Sequence, residues 1–83
     1  MERGGLMRLT DAVGKRTANL LQEQHMTQYE LSKQGGIPRS TISVIIAGKP
    51  KTVKLDTVYQ IAATLGISLE TFFADPMFDD ISD

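Results

Sequence analysis

The sequence predicts an all-α domain built from five short helices. Apolar residues recur at spacings of three and four positions in five successive segments, which is the period of an amphipathic helix. Gly or Pro follows most of these segments, where a helix stops. The β-branched stretch at residues 41–46 has no turn-bounded partner of alternating polarity, so it does not favour a hairpin. A chain of 83 residues has the size of one domain.

The first predicted helix spans residues 11–24, with Thr10 as its N-cap and an apolar stripe formed by Val13, Thr17 and Leu20. The second helix opens at a capping box, in which the Thr27 hydroxyl and the Glu30 carboxylate each bind the other residue's backbone amide. Two glycines at residues 35–36 end this helix, because Gly tolerates the left-handed conformation common at a helix C-terminus.

The third helix is predicted to open with Pro38 at its first position, where the fixed φ of Pro suits the helix. Its apolar residues are Ile42, Ile45 and Ile46, and Gly48 ends it. The fourth helix spans residues 54–65, with an apolar stripe of Leu55, Val58, Ile61, Ala62 and Leu65. Ser68 caps a short fifth helix, which residues 75–76, Asp-Pro, close.

We therefore predict a domain over residues 10–75, preceded by a flexible lead-in at 1–9 and followed by an acidic tail at 76–83. Within the tail, Met77, Phe78 and Ile81 could dock on the domain. The absence of Cys excludes disulfides and thiolate metal sites. No apolar run reaches the roughly 20 residues of a membrane span, and no signal peptide is evident. We expect a soluble cytoplasmic protein with no cofactor, no metal, no membrane contact and no small-molecule ligand.

The charge of the chain is divided unevenly along its length. The net charge is −1, but residues 1–54 carry all nine Lys and Arg with four acids, a local charge of +5. Residues 55–83 carry six acids and no base, a local charge of −6. A polyanion meets one face of a protein rather than its average charge, so the split permits a basic binding face. The alternative is a solubilising acidic tail beside an ordinary mixed surface.

The two helices on either side of the double glycine are the most informative feature. Two short helices joined by a three-residue turn containing Gly are typical of a helix-turn-helix, a unit that binds DNA. Close crossing of these helices needs a small residue, which Ser32 supplies, and the turn needs Gly36. On this interpretation the inward-facing residues of the second helix of the pair are Ile37, Ile42 and Ile45.

The outward edge of the same helix then carries the residues predicted to read bases: Arg39, Ser40, Ser43 and Val44. Arg39 can pair with O6 and N7 of guanine, and a phosphate contact or a solvated side chain is its alternative. The two serines can bond a base or a phosphate. Val44 can only touch a thymine methyl or shape the groove wall, unless a neighbouring helix partly buries it.

A second group of residues is predicted to contact the DNA backbone. Gln28 lies at the start of a helix, where an amide side chain and free backbone amides can meet a phosphate. Lys49, Lys51 and Lys54 surround the loop after the third helix; a cluster of solvated lysines is the alternative. Arg16 either joins this basic rim or braces the first helix.

Residues 13–73, about three quarters of the chain, resemble the phage repressor and Cro family of XRE-type helix-turn-helix domains. The matching stretches are VGKR (13–16), TQYELS (27–32), GIPRSTIS (36–43), GK (48–49), LDTVYQIA (55–62) and LGISLE (65–70). The resemblance implies a compact five-helix, lambda-repressor-like domain whose third helix enters the major groove. It also implies a dimer on paired half-sites that acts as repressor or activator. By position, Thr41 joins Gln28 among the backbone contacts.

The chain departs from this family at three places. Many relatives pair an Arg in the first helix with a Glu near the end of the third; here those positions hold Leu21 and Ile46. An apolar contact can replace such a pair, because no lone buried charge is left. A long polar residue is common at Val44, and Leu at Gly35.

Enzymatic activity is not expected, because the single His25 lies in a turn without a Cys or carboxylate partner, and no catalytic motif is present. The rival hypothesis is a protein-interaction module, or an antitoxin-like regulator, that keeps the fold without binding DNA by itself.

A homodimer is the expected assembly. The candidates for its surface are Leu69, Phe72, Phe73 and residues 77–81, with core packing as the alternative for the two Phe residues.

Overall fold

A computed structural model describes residues 7–82, which form five α-helices and one 3-10 helix. The helices are α1 (Leu9–Glu23), α2 (Gln28–Gly35), α3 (Arg39–Ile46), α4 (Leu55–Thr64) and α5 (Leu69–Phe72), followed by the 3-10 helix Pro76–Asp80. Within this range there is no strand, only an isolated parallel bridge between Met7 and Ile81. The predicted all-α class with five helices is confirmed. No helix among these residues is both long and apolar enough to cross a membrane.

One apolar core joins all five helices. The inward-facing residues of the α2–α3 pair are buried as predicted, with Ile37, Ile42 and Ile45 at most 5% exposed. Leu21 is buried and Ile46 is half-buried against the same core, so both positions make apolar contacts. The other buried core residues are Val13, Leu20, Leu31, Val58, Ile61, Ala62, Leu65 and Phe72. Most of the expected lead-in, residues 1–6, and residue 83 lie outside the described residues.

The prediction of Thr10 as the N-cap of the first helix is wrong. α1 begins at Leu9, and the carbonyl of Arg8 already accepts a hydrogen bond from the amide of Ala12 at 3.0 Å. Thr10 lies inside the helix and is only 7% exposed. As the second residue of α1, Thr10 is not at the capping position, which Arg8 occupies.

The capping box that opens α2 is confirmed. The Glu30 amide donates to the Thr27 hydroxyl at 3.0 Å, and the Thr27 amide donates to the Glu30 carboxylate at 2.9 Å. The helix ends at Gly36, whose φ of +64° lies in the left-handed region. The Ser32 hydroxyl then donates to the carbonyl of Ile37 at 2.5 Å. The small residue predicted at the helix crossing therefore also holds the turn.

Pro38 precedes α3 rather than opening it, which corrects the prediction. Its ψ of 136° is extended, and its carbonyl accepts from the amides of Thr41 and Ile42 at 3.0 and 3.2 Å. An N-cap residue has these two properties, a non-helical backbone and a carbonyl that accepts the first helical bond. Arg39 thereby becomes the first residue of α3.

In α4 the predicted stripe is buried except at its first member. Leu55 is 67% exposed, so its assignment to the core is wrong. It is the first residue of α4, one turn before Val58, where packing against the core begins. Ser68 caps α5 as predicted, because its hydroxyl accepts from the Thr71 amide at 3.0 Å.

Three phenylalanines close the C-terminal end of the core. Phe72 is fully buried, and the ring of Phe73 meets it edge-on with centroids 5.1 Å apart. Phe78 from the 3-10 helix packs against Phe73 at 4.9 Å. The predicted alternative of core packing therefore holds for Phe72, and the tail docks through Phe78.

α1 and α3 touch backbone to backbone at Gly14. A Cβ atom built on Gly14 would lie 2.1 Å from the carbonyl oxygen of Ile45 and 3.1 Å from that of Ile46. Real Cβ atoms do not approach an oxygen so closely, so only Gly fits at this position of α1. The contact fixes the distance between α1 and the C-terminal half of α3.

We expect Gly14→Ala to lower the free energy of unfolding by about 1–2 kcal/mol, because overpacking costs about 1–3 kcal/mol and a backbone carbonyl 2.1 Å away cannot give way easily. That cost exceeds the roughly 0.5–1 kcal/mol that Ala contributes over Gly inside a helix. Urea denaturation followed by circular dichroism measures the change. The matched control is Lys15→Ala at the exposed neighbouring position, expected to stay within about 0.5 kcal/mol. A Gly14→Ala protein as stable as the unaltered chain would contradict the close approach of α1 and α3.

Candidate nucleic-acid interface

The outward edge of α3 carries the residues predicted to read bases. Arg39, Ser40 and Ser43 are exposed, and Val44 is 41% exposed. Ile42 and Ile45 lie fully or almost fully buried behind them, so α3 is anchored by one face and open on the other. The edge is polar at its N-terminal end and apolar at Val44.

Gln28 joins this edge from α2. It is the first residue of α2, and its side-chain oxygen accepts a hydrogen bond from the Ser43 hydroxyl at 3.3 Å. A residue predicted to contact the DNA backbone and one predicted to read bases are therefore direct neighbours. The bond connects the first residue of α2 to the exposed edge of α3.

The lysine loop, residues 49–54, follows α3 through a left-handed turn. Gly48 has a φ of +70°, and the Lys49 amide donates back to the carbonyl of Val44 at 3.1 Å. This is a Schellman motif, which redirects the chain sharply after the helix. Lys49, Lys51 and Lys54 are all exposed.

The lysine loop lies beside the exposed edge of α3. The two elements line a groove of about 260 Å³, with Val44 on one side and Pro50, Thr52 and Lys54 on the other. Thr41, which is half-buried, lines this groove and also a second one that contains Asp56. Of the predicted contact residues, the first groove brings together Thr41, Val44 and Lys54, and among all of them only Thr41 and Gln28 are half-buried rather than exposed.

Arg39 and the lysines of the loop have no acidic partner within residues 7–82. The ion pairs in that range are Arg8–Asp11 and Arg16–Asp75, and neither pair includes Arg39 or a lysine of the loop. Arg39 and the three lysines therefore keep their charge available to a ligand.

Arg16 braces the protein rather than joining the basic rim. Its guanidinium donates to the carbonyls of Phe72 and Thr71 at 2.8 and 2.9 Å, and lies 3.5 Å from a carboxylate oxygen of Asp75. Its side chain is only 11% exposed. Arg16 thus satisfies carbonyl groups at the end of α5, where a cation is favourable.

A clamp between Arg8, Asp11 and Gly48 holds the start of the lysine loop. The Arg8 guanidinium donates to both carboxylate oxygens of Asp11 at 3.1 and 3.0 Å, and to the carbonyl of Gly48 at 3.0 Å. The hydrogen bond from Arg8 lowers the pKa of the Asp11 carboxyl. The spacing of Arg8 and Asp11 is typical of a helical ion pair, but no local pattern points to Gly48, 40 positions away.

The sequence of the chain matches the HTH_3 helix-turn-helix family over residues 18–72. The protein belongs to this family. The matched range contains the whole of α2, α3, α4 and α5 and the turn between the central pair. The resemblance to XRE-type domains is confirmed. No curated protein has a sequence that matches the chain.

Solved structures share the fold of this HTH_3 protein. The prophage Lp1 protein 11 aligns with a TM-score of 0.78 and 24% identity, over 92% of this chain and all of the other. A mutant of the restriction-modification controller protein C.Esp1396I aligns at 0.75 and 23%, over 83% and 86% of the two chains. An HTH_3 family transcriptional regulator from Vibrio cholerae aligns at 0.75 and 19%, over 82% of this chain and 38% of its own.

Proposed function

We propose that this HTH_3 protein is a transcriptional regulator that binds double-stranded DNA in a sequence-specific manner, with α3 in the major groove. Its action in the cytoplasm as a repressor, by occupying an operator, is part of the proposal. The observation that carries it is the exposed Arg-Ser edge of α3 beside the lysine loop, with Ile42 and Ile45 buried behind. A helix presented by one anchored face is what the major groove, about 12 Å wide, admits.

Each residue of the interface has a role in this proposal. Arg39, Ser40 and Ser43 read base edges, and Val44 contacts a thymine methyl or the groove wall. Gln28 and the amides at the start of α2 bind a phosphate, supported by the bond between Gln28 and Ser43. The remaining contacts to the DNA backbone are assigned to Thr41, Lys49, Lys51 and Lys54.

Salt dependence tests the proposal against the rival protein-interaction module. Binding to any duplex should weaken as salt is added. The logarithm of the binding constant should fall against the logarithm of the salt concentration with a slope of about −0.9 for each phosphate neutralised on B-DNA. Lys51→Ala should make that slope shallower by roughly one phosphate and weaken specific and random duplexes alike. Fluorescence anisotropy over a salt series measures both quantities.

The matched control is Lys15→Ala, which removes the same charge from α1, outside the lysine loop. It should leave the slope unchanged. An absence of salt-sensitive binding by the unaltered chain would favour the interaction module, and an unchanged slope in Lys51→Ala would remove Lys51 from the interface.

Arg39→Ala should abolish the preference at one base position, at a cost of about 1–3 kcal/mol if the contact to guanine is bidentate. A duplex selected from a random library supplies the reference site, and single-base variants of it supply the comparison. Arg39→Lys is the matched control, because it keeps the charge but loses the planar fork. Equal losses on the selected and random duplexes would assign Arg39 to a phosphate instead.

We also propose that the protein binds as a homodimer to two half-sites. Their centres should lie about 10–10.5 bp apart, one turn of B-DNA. Footprinting on the selected site should protect both half-sites together. A control duplex with about 5 bp inserted between them turns the half-sites to opposite faces of the helix and should lose cooperative protection. A single short footprint that is insensitive to this insertion would exclude the dimer.

A further inference from the structure

Tyr29, near the start of α2, has two cations close to its ring, Lys33 and Arg39. Its side chain is 51% exposed and takes no part in the apolar core. The guanidinium carbon of Arg39 lies 5.7 Å from the centroid of its ring, and the Lys33 ammonium lies 5.8 Å from it. Both distances fall within the roughly 6 Å at which a cation interacts with an aromatic face. The ring therefore contacts charged groups rather than serving as core.

Among residues 7–82 no packing around Arg39 holds its side chain in one conformation, so a contact with the Tyr29 ring has a larger effect on it than on a buried residue. Arg39 is the first residue of α3, it is exposed, and it has no ion pair among residues 7–82. An arginine side chain is long and loses much rotamer freedom when it is fixed in one pose. Bidentate pairing with guanine requires that pose, because both donors of the fork must meet O6 and N7.

We propose that Tyr29 is a specificity-determining positioning residue, whose ring holds the Arg39 guanidinium at the edge of α3 ready to pair with a base. This inference rests on the proposed DNA-binding function. Fixing the guanidinium before binding lowers the entropy lost when it pairs with guanine. A duplex that offers no partner to Arg39 gains nothing from the fixed pose. Tyr29 therefore adds to the discrimination between bases without touching one.

A direct bond from the Tyr29 hydroxyl to a phosphate is the rival role, and it predicts a different pattern. A phosphate contact strengthens binding to all duplexes and leaves the preference between bases unchanged. Tyr29→Phe keeps the ring and removes the hydroxyl, whereas Tyr29→Ala removes both. The two variants together separate stacking from hydrogen bonding.

The experiment uses the full chain and two duplexes, the selected site and its variant at the base where Arg39→Ala loses preference. The quantity measured is the ratio of the two affinities, which a partly unfolded sample does not change. Tyr29→Ala should reduce this ratio about two- to five-fold, the equivalent of one exposed cation–aromatic contact. Tyr29→Phe should keep the ratio. Tyr59→Ala, at the other exposed tyrosine, is the matched control and should also keep it.

A double-mutant cycle completes the test. In the Arg39→Ala background, Tyr29→Ala should cause no further loss of the ratio, because the ring then has no guanidinium to hold. An unchanged ratio in Tyr29→Ala, a loss in Tyr29→Phe as large as in Tyr29→Ala, or a further loss without Arg39 would each overturn the inference. If Arg39→Ala leaves the preference between bases unchanged at every position, Arg39 does not read a base, and the inference about Tyr29 fails together with that assignment. Salt-sensitive binding by the unaltered chain still decides the proposed function separately.

Discussion

The contact of α1 with the C-terminal end of α3 is the constraint on which the rest of the interface depends. Gly14 lets the backbone of α1 reach the carbonyl of Ile45, and the Arg8–Asp11 pair holds the carbonyl of Gly48 just beyond. At Gly14 itself no side chain separates the two backbones. α3 is therefore fixed along its inner face and at its end, and its other face is left open to solvent.

The turn between α2 and α3 adds the second fixed point, and its geometry follows from local chemistry. Gly36 supplies the left-handed residue, and Ser32 binds the carbonyl of Ile37. Pro38 then caps α3, and its carbonyl accepts the first hydrogen bonds of the helix. Since these groups lie within seven positions of one another, the angle between the two helices is encoded in a short stretch of chain.

Some of these contacts join neighbours along the chain and others join residues far apart in it. This difference in sequence separation explains what the sequence could predict and what it could not. The capping box at Thr27 and the stop at Gly36 involve neighbours along the chain, so their residue types reveal them. Spacing likewise predicted which isoleucines of α3 are buried. The role of Arg16 depends on carbonyls 55 and 56 positions away, and the exposure of Leu55 depends on where α4 leaves the core. Of the site, the outward edge of α3 was predictable from periodicity, whereas the position of Tyr29 beside Arg39 needed the assembled fold.

The sequence divides the charge into a basic half and an acidic half, but within residues 7–82 the fold leaves only some of the basic residues without an acidic partner. Arg8 and Arg16 belong to the basic half of the chain, but structural partners engage both of them. The bases without an acidic partner in residues 7–82 are Lys15 and a group concentrated in residues 28–54: Lys33, Arg39, Lys49, Lys51 and Lys54. The one acid in that segment, Glu30, is committed to the capping box. The helix-turn-helix and its loop thus hold a net charge of +4, which selects a polyanionic partner over a neutral one.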